Sequence, residues 1–149
     1  MKVKHQGTAK HYRTVWFDKS RNKVRLIEQR LLPHQFKIVS TVDYVETARA
    51  ITNMIVRGAG AIGSTAAYGL AQGARAFQGQ GLKTFEKHIT KVFNMLAKAR
   101  PTAVDPINAM RSIISDMNGK TVVERQSQAL ALAEQFADDD MTHCQALGQ

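Results

Sequence analysis

Residues 61–77, AIGSTAAYGLAQGARAF, limit more than any other stretch what this chain can become. The run is made mostly of residues with little or no side chain. Read as a helix, it places Gly63, Ala67, Ala71 and Ala74 where another backbone can approach closely. Its glycines cost helix propensity, which makes sense on a helix with others packed tightly about it.

Helices to do that packing are legible on both sides. From Thr41, the apolar positions Val42, Val45, Ala48, Ile51 and Ile55 recur on one helical face, with Thr41 placed as the N-cap. After QGQGL breaks the chain, Thr84 opens a stretch in which Phe85, Ile89, Val92, Phe93 and Leu96 form an apolar stripe. Arg100-Pro101 ends it, because the residue before a proline is driven out of the α region. Asp105-Pro106 starts the next helix, a capping residue followed by proline at the first helical position. That helix covers about residues 106–117 and stops at Asn118-Gly119. Thr121-Val-Val-Glu124 reads as a capping box for a long last helix through Leu130, Ala133, Phe136, Met141 and Leu147.

Ahead of the helices, RTVWF (13–17) and KVRLIE (23–28), joined by the polar DKSRN, predict a β-hairpin, and FKIV (36–39) a third short strand. The expected fold class is α+β, mostly helical. A small antiparallel N-terminal sheet of about three strands would occupy residues 1–40, and a bundle of about five helices residues 41–149. The last helix reaches Gln149 with its apolar face intact and no stop signal before Gly148, so the chain reads as unfinished.

Composition narrows the function classes. At 149 residues the chain is one domain's worth, and 44% hydrophobic with 22% charged residues is ordinary for a globular protein. No apolar run approaches a membrane span, and no secretory signal follows the basic N-terminus. A single cysteine, Cys144, excludes an internal disulfide and fits a reducing cytoplasm. The net charge of +9 is concentrated early, with eight basic residues in the first 25 positions offset only by Asp18. A nucleic-acid site would want aromatics interleaved with those cations. Tyr12, Trp16 and Phe17 are available, but Trp16 and Phe17 lie in a strand-like run where core burial accounts for at least one. The basic segment is therefore read as a solvated face, with neither nucleic acid nor membrane as partner. His5, His11, His34 and His88 have no metal-ligand spacing and no paired cysteine beside them, so no metal and no cofactor is expected. Glu28 and Asp105 read as unpaired carboxylates in strand and cap positions, neither a general acid on its own.

The segment that carries chemistry precedes the small-residue helix. VRGAGAIG (56–63) puts three glycines and an arginine between two apolar runs. Helix N-termini expose unpaired N–H groups and bind anions, and glycine lets the backbone come close to a ligand. Arg57, Gly58, Ala59 and Gly60 could thus cradle a phosphate, or the glycines could serve a helix–helix corner. The segment is not a Walker A loop, lacking the Lys-Ser/Thr pair, nor a dinucleotide fingerprint, because it follows no strand. Arg100, at the proline break, either turns toward an anion or complements a helix C-terminus.

Three motifs together, LIEQRLLPH (26–34), MIVRGAGAIGSTAAYGLA (54–71) and ARPTAV (99–104), are similar to the N-terminal part of the methylthioribose-1-phosphate isomerase family. The wider superfamily includes ribose-1,5-bisphosphate isomerases and the initiation-factor-2B-like regulatory subunits of translation initiation. The order and spacing match over roughly residues 15–149. The resemblance implies an aldose–ketose isomerisation of a phosphorylated thiosugar, methylthioribose 1-phosphate, in methionine salvage. It implies substrate contacts at Arg57, Gly58, Ala59 and Arg100. The family pattern is usually Arg-Gly-Ala-Pro-Ala-Ile-Gly, so Gly60 stands here for the commoner proline. The resemblance places the catalytic cysteine and aspartate in a following α/β domain, which leaves no catalytic residue in this chain and makes a homodimer or that domain the expected partner. Cys144 in Thr142-His143-Cys144 is not that cysteine. It continues an amphipathic helix, where a buried thiol is inert.

Overall fold

The computed structural model describes residues 2–5, 8–11, 13–32, 34–101 and 103–147, with side chains described over 13–32, 34–101 and 103–140. A two-stranded antiparallel ribbon comes first, β1 (Lys2–His5) with β2 (Thr8–His11). A three-stranded antiparallel sheet follows in the order β3 (Val15–Asp18), β4 (Lys23–Ile27), β5 (Ile38–Thr41). Val15 pairs with Leu26, and Leu26 with Val39, so one apolar row crosses all three strands. Five helices complete the described chain: α1 (Tyr44–Thr52), α2 (Ala59–Ala76), α3 (Leu82–Ala99), α4 (Asp105–Asp116) and α5 (Val122–Leu147). The three-stranded sheet and five helices match the sequence reading. The β1–β2 ribbon was not anticipated, because KVKH and TAKH carry too few apolar residues to show a period of two.

Helix α2 runs through the middle of the molecule, touching the other four helices as well as β3 and β4. Every residue from Ile62 to Ala74 is buried. Its small residues are what permit this. A β-carbon on Gly73 would lie 2.7 Å from both methyl groups of Val92 on α3. On Gly69 it would lie 2.9 Å from the Thr47 methyl of α1 and 3.0 Å from Leu96. None of these neighbours is a solvent-facing side chain that could swing away; Thr47, Val92 and Leu96 are themselves at most 1% exposed.

One long polar residue interrupts the apolar face of α2. Gln72 is fully buried and fully used. Its Nε2 donates to the carbonyls of Thr41 (2.9 Å) and Asn22 (3.1 Å), and its Oε1 accepts from the Thr47 hydroxyl at 2.6 Å. Asn22 returns a bond to the Gln72 carbonyl at 3.1 Å. Arg75, one turn on, donates to the Lys19 carbonyl (3.2 Å) and lies 5.5 Å from the Phe17 ring centroid. The β3–β4 turn is thus fastened to α2, and Phe17 stacks on Tyr68 at 5.7 Å. Burial pushes the Tyr68 phenol up to about 12, so it stays neutral.

Several boundaries differ from the sequence reading. Thr41 is the last residue of β5 rather than an N-cap; its hydroxyl is 2.6 Å from that of Thr47 in the buried network. Asp43 caps α1 instead, accepting from Glu46 N–H at 2.9 Å while Glu46 accepts from Val42 N–H at 2.7 Å. Val42 is consequently exposed, not part of the helix face. α1 stops at Thr52, before Ile55. α3 starts at Leu82 with Gly81 as an N-cap that has no side-chain bond, so Thr84 falls inside the first turn. α4 begins at Asp105, with Val104 as its N-cap. Thr121 caps α5 as read, accepting from Glu124 N–H at 3.2 Å, but the Glu124 carboxylate accepts from Lys120 N–H at 2.8 Å, one residue before the cap, so the reciprocal half of the box is displaced.

Gly73→Ala is expected to cost about 1–3 kcal/mol, the usual range for overpacking a filled core. Urea unfolding followed by circular dichroism checks this; the midpoint should fall with the slope unchanged.

Candidate anion-binding site at the start of α2

The segment between α1 and α2 is built from an unusual helix ending. Met54 N–H donates to Ile51 O (3.1 Å) and Ile55 N–H to Ala50 O (3.0 Å). That pair of bonds is a Schellman closure, in which the residue at the left-handed position is ordinarily glycine. Here it is Met54, at φ 60°. The left-handed conformation costs a residue with a β-carbon about 1–2 kcal/mol. Beyond it Val56 is fully buried, and the chain then emerges with Arg57, Gly58 and Ala59 exposed. Gly58 bends the chain into α2 at φ 91° and ψ 139°. A β-carbon there would meet no neighbour within 4 Å, so the demand for glycine is conformational, not steric.

A second element grips this loop from the far side of the sequence. In the 3-10 turn Gln29–Leu31, the Gln29 N–H donates to Ile55 O at 2.9 Å, and Gln29 Oε1 accepts from the Arg57 N–H. The turn is itself capped by Glu28, which is buried. Glu28 Oε1 accepts from Arg30 N–H (3.1 Å) and Arg30 Nε (2.7 Å), while Oε2 accepts from Nη2 (2.9 Å). The Arg30 hydrogen bonds outweigh burial and hold the Glu28 carboxyl below its ordinary range. Glu28 is therefore not the unpaired strand carboxylate that the sequence suggested. Gln29 and Glu28 went unrecognised as supports because two-residue Glu-x-Arg spacing matches neither helical nor strand pairing.

At the helix start, Gly58 offers no side-chain cap, and Ile62 N–H is the donor that reaches back to Gly58 O, at 2.9 Å. The amides of Ala59, Gly60 and Ala61 precede it in the turn, the position where helix amides lack intrahelical acceptors. Asp140 of α5 lies against Gly60; a β-carbon on that residue would be 2.7 Å from the Asp140 Cγ. Glycine at 60 and the carboxylate's present position therefore belong together, whereas a proline ring would displace it. The carboxylate places negative charge near the positive end of the α2 dipole.

Arg100 is the C-cap of α3, at φ −141° and ψ 80°, and its carbonyl accepts from Ala103 N–H at 3.0 Å to close the turn through Pro101. The Thr52 hydroxyl donates to the Ala99 carbonyl at 3.1 Å, which ties the last turn of α1 to the last residue of α3. The segments that carry Arg57 and Arg100 thus leave the bundle at the same end. Among the described residues, neither guanidinium forms a hydrogen bond or an ion pair. Arg57, Gly58 and Ala59 form one exposed strip, and Arg100 lies on the neighbouring segment. Cys144 and His143, with Tyr12, His5 and His11, fall outside the residues whose side chains are described. His88 is structural: its Nε2 is 2.9 Å from Gly73 O and its ring packs between Tyr44 and Phe77. Trp16 and Phe17 each have a guanidinium over the ring, that of Arg25 at 5.9 Å and that of Arg75 at 5.5 Å from the centroid.

Residues 55–149 match the Initiation factor 2 subunit family, and the chain belongs to it. More narrowly, it is 41% identical over 140 residues to methylthioribose-1-phosphate isomerase of Crocosphaera subtropica, a match covering 92% of this chain and 39% of that protein. The crystal structure of 5-methylthioribose 1-phosphate isomerase from Pyrococcus horikoshii superposes with a TM-score of 0.79 at 33% identity, covering 87% of this chain and 37% of that one. Translation initiation factor eIF-2B, subunit delta, from A. fulgidus superposes with a TM-score of 0.77 at 30% identity, covering 88% and 38%. The chain thus spans somewhat under two fifths of the first of these relatives, 39% of its length. Among the described residues, no helix is long and apolar enough to cross a membrane.

The Glu28 ion pair gives the site's support a pH dependence. Because the folded carboxyl titrates below its ordinary value of 4.5, the pair stabilises the fold above that pH and is lost as pH falls through the lower folded value. Urea midpoints measured from pH 6 to pH 3 should fall more steeply for the wild type than for Glu28→Gln, which cannot titrate.

Proposed function

We propose that this chain is the sugar-phosphate-gripping N-terminal part of an aldose–ketose isomerase, acting on methylthioribose 1-phosphate in the cytoplasm as part of methionine salvage. The observation that carries this reading is the pair of guanidinium groups, Arg57 and Arg100, unpartnered among the described residues and emerging at one end of the bundle beside a helix start that has no side-chain cap. An arginine whose charge is unspent can take a phosphate bidentately, and free first-turn amides add donors at no further ordering cost. Two positive charges outweigh the one carboxylate of Asp140 nearby, whose oxygens can accept from sugar hydroxyls. Gly58 and Ala59 let the ligand approach the backbone.

The proton movement between carbon 1 and carbon 2 of the sugar needs an acid–base pair. It is assigned to a following α/β domain, so that binding and chemistry are divided between two parts. Positioning of a substrate between both parts is what would make the assembled enzyme fast. The A. fulgidus superposition favours a second reading, an interaction subunit of the translation-factor type without turnover. The two differ in whether the arginines are used.

Calorimetric titration with methylthioribose 1-phosphate decides between them. Binding by the wild-type chain that drops at least tenfold in Arg57→Ala, with ribulose-type product absent from these 149 residues alone, is the expected result. Loss of one charge-assisted bidentate contact, at about 1.5–3 kcal/mol, sets that magnitude. Absence of binding supports the interaction subunit, and turnover by the chain alone overturns the division of labour.

A further inference from the structure

Met54 is the residue in this region whose presence is hardest to explain by folding. It occupies the left-handed position of the Schellman closure, φ 60°, where glycine would relieve the strain and keep both hydrogen bonds. It gains little burial in return, because it remains 43% exposed, one of the few large apolar side chains so placed. Core packing therefore does not account for it. Residues held in such sparsely populated conformations by the bonds around them cluster at active sites and ligand clamps.

Its place in the chain indicates which function. Met54 is three residues before Arg57, so the two α-carbons are at most about 10 Å apart even with the chain extended, a separation comparable with a pentose phosphate. The connecting residues are fixed at both ends, by the Ala50 carbonyl on the α1 side and by Gln29 on the other. A ligand whose phosphate is taken by Arg57 would have its far end within reach of an unbranched thioether. Such a side chain is polarisable and adapts to irregular apolar groups.

Resting on the sugar-phosphate reading above, we infer that Met54 is a specificity-determining residue: its exposed side chain contacts the apolar substituent on carbon 5 of the sugar and so favours a 5-alkylthio pentose phosphate over the 5-hydroxy sugar. The strained backbone is retained because glycine, the residue best suited to the turn, has no side chain to make that contact. The two arginines treat both ligands alike, since both probes carry the same phosphate.

The test is calorimetry on the 149-residue chain with two probes, methylthioribose 1-phosphate and ribose 1-phosphate, alongside thermal melting. The wild type is expected to prefer the thiosugar by roughly tenfold, in line with burial of a thiomethyl group. Met54→Gly should lose that preference, keep its affinity for ribose 1-phosphate, and melt at the same temperature or a few degrees higher. Met54→Leu, which restores apolar bulk, should recover most of the preference. A Met54→Gly chain that still prefers the thiosugar overturns the inference and leaves the sugar-phosphate reading intact. Equal weakening of both ligands overturns it too, because it would mean that Met54 only shapes the loop. A wild type that binds neither probe removes the sugar-phosphate reading, and this inference with it.

Discussion

A helix can be surrounded on nearly all sides only if its neighbours' side chains can reach its backbone. In α2 they do, with Val92, Leu96 and Thr47 lying where β-carbons would be if Gly73 and Gly69 were any other residue. The remaining order follows from that constraint. α1 and α3 are drawn against the same stretch of α2, which brings their C-terminal ends together and allows the Thr52 hydroxyl to meet the Ala99 carbonyl. The loops after those ends carry Arg57 and Arg100. A site assembled from two loops therefore owes its geometry to contacts made well inside the bundle.

The buried amide of Gln72 does for the sheet what the glycines do for the helices. Fully satisfied polar groups in a core are directional, so they select one arrangement among several of similar apolar burial. Here the carbonyls of Asn22 and Thr41 receive both protons of one side chain, which sets the sheet's position against α2 in rotation as well as distance. Sheet position matters to the candidate site, because the 3-10 turn that follows β4 supplies Gln29. Apolar packing alone would leave that turn free to slide relative to the start of α2.

Much of this was legible in the residues. The small-residue run, the stripe of Phe85, Ile89, Val92 and Leu96, the proline break after Arg100 and the Thr121 cap are local signals. Their physical causes act within a turn or two of chain, and the structure has them in place. Cap choice was less legible at α1, where Thr41 and Asp43 both have suitable oxygens. The outcome depended on a buried partner, Gln72, that lies 31 residues from Thr41. The same limit hid the supports of the site. Arg57, Gly58, Ala59 and Arg100 could be picked out by type and motif, but the hold of Gln29 on Arg57 spans 28 residues and has no periodic trace. Likewise the proximity of Asp140 to Gly60 joins the first turn of α2 to a residue of α5 far along the chain.

The grip of Gln29 on the loop also bears on how such a chain can vary. Its amide and its side chain hold Ile55 and Arg57 at once, so the arginine loop and the end of the small sheet form a single mechanical unit. A residue added between Ile27 and Gln29 would shift the anchor and loosen the arginine loop without disturbing the helices. Drift in ligand preference could thus begin in a strand that never meets the ligand.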